Sequence, residues 1–352
     1  MRAAVYHGNR DIRVEAVPDP QAAPGEVKLR IDFSTICATD IEEYLHGPKF
    51  IPHDSPHPIT GRTLPLVTGH ELTGTVVDAG EGVEGFRTGD RAVIYATLCC
   101  GQCRWCLNNE EMHCPTVGFA GFSRDGGLAE QMTWPASQVV PLPDGVTSQQ
   151  AALAEPASVA VHAVRRARVK PGDRVAVLGT GAVGMLVLQV AKSAGALVYA
   201  IDRRQASLDL AQRLGADATI NSETSDAAEA VRNLTDGAGA DVVFDVAGAE
   251  TTPPLAVEMA RSRGTVVIVA IFASRPALDF TRVVLKQLDI LGSMSYTMDE
   301  VREAVALMAA GKVDTAPLVS DVIGLDQVVD VGYARMLQPA KDVFRILVDP
   351  SR

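Results

Sequence analysis

The chain has 352 residues, of which 47% are hydrophobic and 21% are charged, and its formal net charge at pH 7 is −11. This length predicts two domains, and the composition excludes general disorder. The negative charge argues against non-specific binding to nucleic acid or to an anionic membrane. The longest apolar run, from Val175 to Ala191, is interrupted by glycines, so we do not expect it to span a membrane. Because the first residues include no apolar signal segment, we expect a cytoplasmic protein.

Residues 1–152 have the pattern of a β domain. Apolar and polar residues alternate from Val27 to Phe33, which is the period of a half-buried strand. Turn signals such as Pro24-Gly25 recur at short intervals along this part of the chain. The stretch from His46 to Pro65 is a long loop rich in proline and histidine, and such loops are often functional.

Residues 153–290 alternate between buried strands and helices. Apolar residues from Val183 to Ala194 recur with the period of one helix face. The predicted strands are Arg174–Leu178, Val198–Ile201, Ala240–Val246 and Thr265–Ile271. Strands separated by helices indicate βαβ units and therefore a doubly wound parallel sheet, so the fold class is α/β.

The last segment, 291–352, begins with a helix signal. Thr297 and Glu300 have the spacing of a capping box, and the following apolar residues would form the buried face of a helix. The apolar stretch Phe344–Val348 predicts a closing strand.

Four cysteines have the spacing of a structural zinc site. Cys100, Cys103, Cys106 and Cys114 form the pattern C-x2-C-x2-C-x7-C, which lets a short lobe place four thiolates around one zinc ion. The alternative is a disulfide cluster, but a chain of this length does not need disulfides for stability. Cys99 lies outside the pattern, and we expect it to have a packing role.

A glycine-rich loop predicts a dinucleotide site. The segment GTGAVG, with Gly179, Gly181 and Gly184 as its glycines, follows a predicted strand and opens a predicted helix. These glycines allow a tight turn and close approach of a pyrophosphate to the helix N-terminus. Asp202 ends the next strand, where a carboxylate binds ribose hydroxyls and repels a 2′-phosphate, so we expect NAD rather than NADP. Arg203 and Arg204 follow directly and are placed to contact a phosphate.

A second set of metal-binding side chains is dispersed along the first half of the chain. Cys37 provides a thiol, His70 an imidazole, and Glu71 or Glu155 a carboxylate. A catalytic zinc needs such ligands together with one open position. Spacing alone does not bring these residues together.

The chain resembles the zinc-dependent medium-chain dehydrogenases/reductases, the alcohol dehydrogenase superfamily, and within it the 2,3-butanediol dehydrogenase branch. The motifs that carry the resemblance are CATD from Cys37, GHE from Gly69, the four-cysteine lobe, Glu155-Pro156, and GTGAVG with Asp202. The resemblance implies a GroES-like catalytic domain formed by 1–152 and 291–352, and a Rossmann cofactor domain formed by 153–290. It also implies a substrate cleft between the two domains.

The resemblance further implies site roles. Cys37, His70 and Glu155 would bind a catalytic zinc, and Glu71 would be a nearby carboxylate that exchanges with water as the fourth ligand. Thr39 would form a hydrogen bond with the reacting alcohol.

Other implied roles concern neighbouring residues. Asp40 would orient His70, while Val183 would press on the nicotinamide. The chain has Glu42 where relatives often have a histidine that passes the proton to solvent, so Glu42 is a candidate for that role.

The expected function is hydride transfer between NAD and a secondary alcohol, such as a vicinal diol or hydroxy-ketone of the butanediol/acetoin type. One zinc would be catalytic and the other structural. A polyol, amino-alcohol or aminocyclitol dehydrogenase remains an alternative, as does a catalytically silent NAD-binding protein. The expected partners are the small-molecule alcohol or ketone and further copies of the chain in a homodimer or homotetramer.

Overall fold

The computed structural model describes residues 1–338 and 343–352, and the chain divides into two compact units. Unit 1 comprises Met1–Glu155, Thr297–Ala309 and Thr315–Arg352, whereas unit 2 comprises Pro156–Tyr296 and Ala310–Asp314. The division after Glu155 falls close to the predicted one at residue 152. The chain returns to unit 1 at Thr297, a few residues after the predicted return at 291.

The first part of unit 1 is built mainly from short strands. These are β1 (Arg2–Gly8), β2 (Asp11–Ala16), β3 (Glu26–Thr35), β4 (Leu66–Val67), β5 (Leu72–Ala79), β6 (Arg91–Ile94), β7 (Thr97–Leu98), β8 (Gly118–Phe119), β9 (Gln131–Pro135) and β10 (Val139–Pro141). The helices are α1 (Ala38–His46), α2 (Arg104–Leu107) and α3 (Ser148–Ala151), with 3-10 turns at Glu111–His113 and Ala136–Gln138. The predicted loop between His46 and Pro65 contains neither helix nor strand.

Strand β3 lies at the centre of unit 1. It pairs antiparallel with β5 and β9 and, at its end, with the closing strand of the chain. Its alternate residues Val27, Leu29 and Ile31 are buried in the core, so the predicted half-buried strand is confirmed. Cys37 is separated from the end of this strand only by the buried Ile36, which fixes the start of α1 beside the core.

Unit 2 contains a six-stranded parallel sheet in the order β13-β12-β11-β14-β15-β16. The strands are β11 (Arg174–Leu178), β12 (Leu197–Asp202), β13 (Ala218–Asn221), β14 (Ala240–Asp245), β15 (Ala260–Ile268) and β16 (Asp289–Gly292). The helices are α4 (Ala154–Ala167), which starts in unit 1, α5 (Ala182–Ser193), α6 (Gln205–Arg213), α7 (Ala227–Leu234), α8 (Thr252–Met259) and α9 (Phe280–Lys286). The predicted doubly wound parallel sheet is confirmed.

The fourth predicted strand differs from the observed one. β15 begins at Ala260 rather than Thr265 and ends at Ile268 rather than Ile271. Its pairing with β14 is irregular between Ala260 and Thr265, and Arg263 has a positive φ of 58°. The polar stretch in this bulge has no strand periodicity, which is why the pattern placed the start of the strand too late.

The returning segment completes unit 1. It consists of α10 (Met298–Ala309), β17 (Val319–Gly324), α11 (Ala334–Met336) and β18 (Arg345–Asp349), with 3-10 turns at Ala316–Leu318 and Leu325–Gln327 and a π-helix at Val328–Tyr333. The capping box is confirmed: the Thr297 N–H donates to Glu300 Oε2 at 2.7 Å. β18 lies between β3 and β17, which confirms the closing strand. Across the described residues, we find no helix of the length and apolarity that a membrane span requires.

Candidate active site and zinc sites

The fold brings Cys37, His70 and Glu71 together in unit 1. One potential ligand atom from each residue lies within 4.8 Å of the other two. Cys37 precedes α1, and the other two residues lie between β4 and β5. The turn between these strands needs a glycine, because Gly69 has a φ of +97° and a Cβ there would lie 2.8 Å from the Leu128 backbone nitrogen. A thiol, an imidazole and a carboxylate in one place form a donor set that fits zinc.

Arg345 is a member of this site that the sequence analysis missed. Its guanidinium forms a bidentate ion pair with Glu71, with two N···O distances of 3.1 Å, and it also lies 3.9 Å from Cys37 Sγ. Glu71 is fully buried and also accepts a hydrogen bond from the Thr35 hydroxyl. In the sequence, one feature could have indicated this role: Arg345 is a charged residue within the apolar stretch that predicts the closing strand.

Glu155 lies outside the group of three donors described above. It begins the first turn of α4 and is partly exposed. Burial disfavours the charged form of Arg345 and lowers its pKa. The negative charges of Glu71, Cys37 and Glu155 have the larger, opposite effect, so the pKa of Arg345 is raised. Glu155 is therefore close enough to the buried Arg345 guanidinium to stabilise its positive charge.

The protonation of the donors depends on burial and on neighbouring charges. Burial and the charge of Glu71 raise the pKa of the Cys37 thiol, although Arg345 and His70 act in the opposite direction. Burial disfavours a charged His70, but Asp40 and Cys37 outweigh it and raise the pKa of His70 well above its ordinary value. A metal ion would bind the thiolate and the neutral imidazole, so binding would release protons.

Helix α1 carries three of the predicted residues on its first turns. The Thr39 hydroxyl lies 3.8 Å from Cys37 Sγ, at the edge of the donor group. Asp40 is buried; its Oδ2 accepts a hydrogen bond from the Cys37 N–H at 2.9 Å. The side chain of Glu42 is 43% exposed and forms an ion pair with Lys49. That contact lowers the pKa of Glu42, so its carboxylate is ionised at neutral pH.

Glu43 was not predicted as a functional residue, yet it anchors the loop that follows α1. Its buried carboxylate accepts hydrogen bonds of 3.0–3.2 Å from the three successive backbone N–H groups of residues 49–51. Phe50 in this loop packs edge-on against Phe122, whose ring centroid is 5.2 Å from that of His70. The long loop is thus fixed at its start and reaches the donor group through two aromatic rings.

The four-cysteine lobe has the geometry of a zinc site. The four thiol sulfurs lie within 4.8 Å of one another, with Cys106 Sγ 3.5 Å from Cys103 Sγ and 3.9 Å from Cys100 Sγ. Tetrahedral ligands at the usual Zn–S length of about 2.3 Å would be separated by about 3.8 Å. Hydrogen bonds from Thr116 and from the backbone outweigh burial and lower the pKa of Cys114 to about 6, which favours its thiolate. Cys99 is outside this group of four.

The glycine-rich loop joins β11 to α5. A Cβ at Gly179 would lie 2.7 Å from the Ala247 side chain, and one at Gly184 would lie 1.9 Å from the Gly179 carbonyl oxygen. Packing therefore excludes a side chain at these two positions. A Cβ at Gly181 would meet no atom within 4 Å, so the backbone there is open to a ligand. Val183 is half-buried in the first turn of the helix. This arrangement fits a pyrophosphate at the helix N-terminus.

Asp202 ends β12 beside this loop. Its Oδ2 accepts a hydrogen bond of 2.9 Å from the Thr180 N–H, and its Oδ1 accepts one of 2.9 Å from the Arg204 N–H. Burial would raise the pKa of Asp202, but the hydrogen bonds from Arg204 and Thr180 outweigh burial and lower it. The Arg204 side chain lies against the same carboxylate, whereas Arg203 is exposed. The two arginines therefore differ in their availability to a ligand.

Comparison with known proteins identifies the family. The family model described as alcohol dehydrogenase GroES-like domain matches residues 23–144, and the one described as zinc-binding dehydrogenase matches residues 182–310. The (R,R)-butanediol dehydrogenase of Bacillus subtilis is 35% identical, with 100% of both chains covered. The sorbitol dehydrogenase of the same organism is 29% identical, with 100% of this chain and 98% of the relative covered.

Solved structures agree with these matches. The crystal structure of the Bacillus subtilis 2R,3R-butanediol dehydrogenase superposes with a TM-score of 0.92 at 34% identity, covering 99% of both chains. A zinc-binding dehydrogenase of Sinorhizobium meliloti bound to NADP superposes with a TM-score of 0.90 at 29% identity, again covering 99% of both chains. The chain therefore belongs to the zinc-dependent alcohol dehydrogenases of the medium-chain dehydrogenase/reductase superfamily, with a GroES-like domain and a Rossmann domain.

Proposed function

We propose that this enzyme oxidises a secondary alcohol with NAD, and that its substrate is a vicinal diol or the corresponding hydroxy-ketone. The observation that carries the proposal is the close grouping of Cys37, His70 and Glu71 as potential zinc ligands in a chain that is 35% identical to a butanediol dehydrogenase. A polyol is the second candidate, because the similarity to a sorbitol dehydrogenase also extends over the whole chain.

The residues of unit 1 have separate parts in the proposed reaction. Cys37 and His70 would hold a catalytic zinc, and Glu155 would approach it as the resemblance implies. Bound there, the zinc supplies a Lewis acid that makes the alcohol hydroxyl more acidic. The Thr39 hydroxyl, which lies at the edge of the donor group, would accept a hydrogen bond from the substrate hydroxyl and relay its proton, giving up its own proton to the next acceptor as it takes up that of the substrate. The positive charge of Arg345 compensates the negative charge of Glu71. Glu71 would therefore offset less of the positive charge of a bound zinc than an unpaired carboxylate would.

The residues of unit 2 would bind the cofactor. The backbone at Gly181 and the N-terminus of α5 would hold the pyrophosphate, and Asp202 would accept hydrogen bonds from the adenosine ribose hydroxyls. Val183 would pack against the nicotinamide, as the resemblance implies. NAD supplies the hydride acceptor.

A substrate panel tests the proposed function. Initial rates with NAD should give a higher kcat/KM for 2,3-butanediol than for sorbitol, xylitol and amino alcohols, and acetoin should be reduced efficiently in the reverse direction with NADH. His70→Ala should abolish turnover while circular dichroism shows a retained fold. A higher kcat/KM for sorbitol than for every vicinal diol of four carbons would instead establish the polyol alternative.

Two zinc ions per chain are proposed, because the lobe and the Cys37 group are separate donor sets. Metal analysis should find about two zinc equivalents in the wild type and about one in Cys103→Ser. This variant should also unfold at lower temperature, since a structural zinc contributes directly to folding. Cys99→Ser is the matched control and should keep both ions. Full zinc content in Cys103→Ser would contradict the proposed lobe site.

Cofactor preference should depend on the charge of Asp202. The wild type should use NAD at least about tenfold better than NADP, because the carboxylate repels the 2′-phosphate. Asp202→Gly should relax or invert the preference, with Arg203 and Arg204 left beside the pocket. Asp202→Asn removes the negative charge but retains one acceptor oxygen, so this variant distinguishes the effect of the charge from the effect of hydrogen bonding. An NAD/NADP ratio of kcat/KM that is equal in all three proteins would show that Asp202 does not select the cofactor.

We propose Glu42 as the residue that passes the proton to solvent. Its pKa lies below the ordinary value, so the base form is fully present above about pH 5 and the wild-type rate should not titrate with Glu42 near neutrality. Glu42→Gln should slow alcohol oxidation at pH 7. Glu42→His should partly restore the rate and introduce a titration near pH 6.5.

The control for this experiment is the cation paired with Glu42. Lys49→Met keeps the carboxylate, and its rate at pH 7 should match the wild type. Glu42→Gln rates equal to wild type, measured with hydride transfer shown to be rate-limiting, would leave Glu42 as a surface charge.

We also propose that the enzyme self-associates through unit 2. The edge strand β16 is largely exposed, and the adjacent helix α9 presents Phe280, Val284 and Leu285 with exposures of 69%, 72% and 73%. Exposed apolar side chains beside a sheet edge are typical of a protein interface. Light scattering should give a multiple of the chain mass of 37.2 kDa, and Leu285→Asp should reduce it.

A further inference from the structure

Four buried polar atoms without hydrogen-bond partners belong to the proposed zinc ligand His70 and to three residues near it. They are Asp40 Oδ1, His70 Nδ1, the Thr68 hydroxyl and the Tyr333 hydroxyl, and none has a partner of acceptable geometry among the residues that the structure describes. Asp40, Thr68 and Tyr333 are only 1–3% exposed. Most buried polar groups in proteins are hydrogen-bonded, so four exceptions near one site require an explanation.

The Asp40 carboxylate is held on one side only. Its Oδ2 accepts the hydrogen bond from the Cys37 N–H, which fixes that oxygen at 2.9 Å. Its Oδ1 faces His70 Nδ1 at 3.5 Å, which is long for a charge-assisted hydrogen bond. A carboxylate with one fixed oxygen can still rotate, so Oδ1 needs a second contact if Asp40 is to define the orientation of the imidazole.

Tyr333 packs against the helix that carries Asp40. It is the last residue of the π-helix Val328–Tyr333, and its ring packs edge-on against Tyr44 of α1 with centroids 5.2 Å apart. A π-helix is rare and often occurs at functional sites. Burial raises the pKa of Tyr333 well above its ordinary value, the charges of Asp40 and Cys37 add to this, and the Thr68 hydroxyl opposes it. The phenol therefore stays protonated and can donate a hydrogen bond, and it is close enough to Asp40 and Thr68 to interact with them.

We propose that Tyr333 is a positioning residue for the zinc ligand His70, and that it acts through Asp40 together with the Thr68 hydroxyl. The Tyr333 O–H donates toward Asp40 Oδ1, Thr68, which follows β4, supports the same oxygen, and Asp40 then accepts from His70 Nδ1–H in one fixed orientation. Groups that orient a metal-binding histidine in this way typically change metal affinity by about 10- to 100-fold when removed. The inference rests on the proposed zinc role of His70.

The alternative role for Tyr333 is packing alone, and it predicts an opposite result. A phenol hydroxyl that is buried without a partner destabilises the fold, so its removal would be neutral or stabilising. If instead the hydroxyl holds Asp40, its removal weakens zinc binding at the Cys37–His70 site. It would leave the four-cysteine lobe unchanged, because that lobe uses different residues.

The experiment measures metal affinity in the full chain. Zinc is removed stepwise with a chelator, and the site is refilled with Zn²⁺ or with Co²⁺, whose visible absorption reports the ligand geometry. Tyr333→Phe should lower the affinity of the Cys37–His70 site by about tenfold and shift the Co²⁺ absorption bands. Tyr44→Phe is the matched control, because Tyr44 packs against the same ring from α1, and it should behave as the wild type.

A second variant provides the test if Tyr333→Phe does not fold. Thr68→Val keeps the shape of the side chain and removes the second hydroxyl, so it should weaken zinc binding in the same direction. Wild-type affinity and Co²⁺ absorption in a folded Tyr333→Phe, or in Thr68→Val if that is the one that folds, would overturn the proposal. A wild type that binds no second zinc would overturn both this inference and the proposed function. A wild type that binds two zinc ions but oxidises no alcohol would remove only the proposed function.

Discussion

The buried ion pair between Glu71 and Arg345 is the contact on which the active site depends. The two residues are 274 positions apart, and their pairing connects β18 to the residue that precedes β5, with the guanidinium 3.9 Å from Cys37 Sγ. Both side chains are almost completely buried, so removal of either partner would leave an uncompensated charge at a cost of about 3–5 kcal/mol. The closing strand of the chain is therefore part of the site, and the charge that it contributes keeps Glu71 ionised beside the donor group.

Helix α1 organises the surroundings of the site through residues three positions apart. Cys37, Asp40 and Glu43 follow one another along a single face, as residues three or four apart on a helix do. Asp40 returns to the Cys37 backbone, and Glu43 binds the backbone of residues 49–51. Glu42 is on the exposed side and pairs with Lys49. The two buried carboxylates are thus hydrogen-bonded to backbone N–H groups, while the carboxylate of Glu42, the proposed proton-transfer residue, is exposed.

The two candidate metal-binding groups are assembled in different ways. The lobe sulfurs come from one short segment, in which α2 and a 3-10 turn place the thiols around a common centre. The Cys37 group combines a residue after β3, a turn before β5 and a strand near the end of the chain. A local group of this kind can form early in folding, whereas the dispersed group requires most of unit 1. This difference agrees with a structural role for the lobe and a catalytic role for the Cys37 group.

The sequence by itself determined the features that depend on short-range spacing. The cysteine lobe, the glycine-rich loop with Asp202, and the Thr297–Glu300 capping box could all be predicted, because each forms within one segment or one βαβ unit. Only the tertiary structure decided that Arg345 faces Glu71, that Glu43 anchors the loop, and that Tyr333 packs against α1. These contacts join side chains across strand pairings and helix packing, and no periodicity or spacing in the sequence encodes which distant residues meet. The resemblance to a family supplied the grouping of Cys37 with His70, which the physical pattern of the residues had left open.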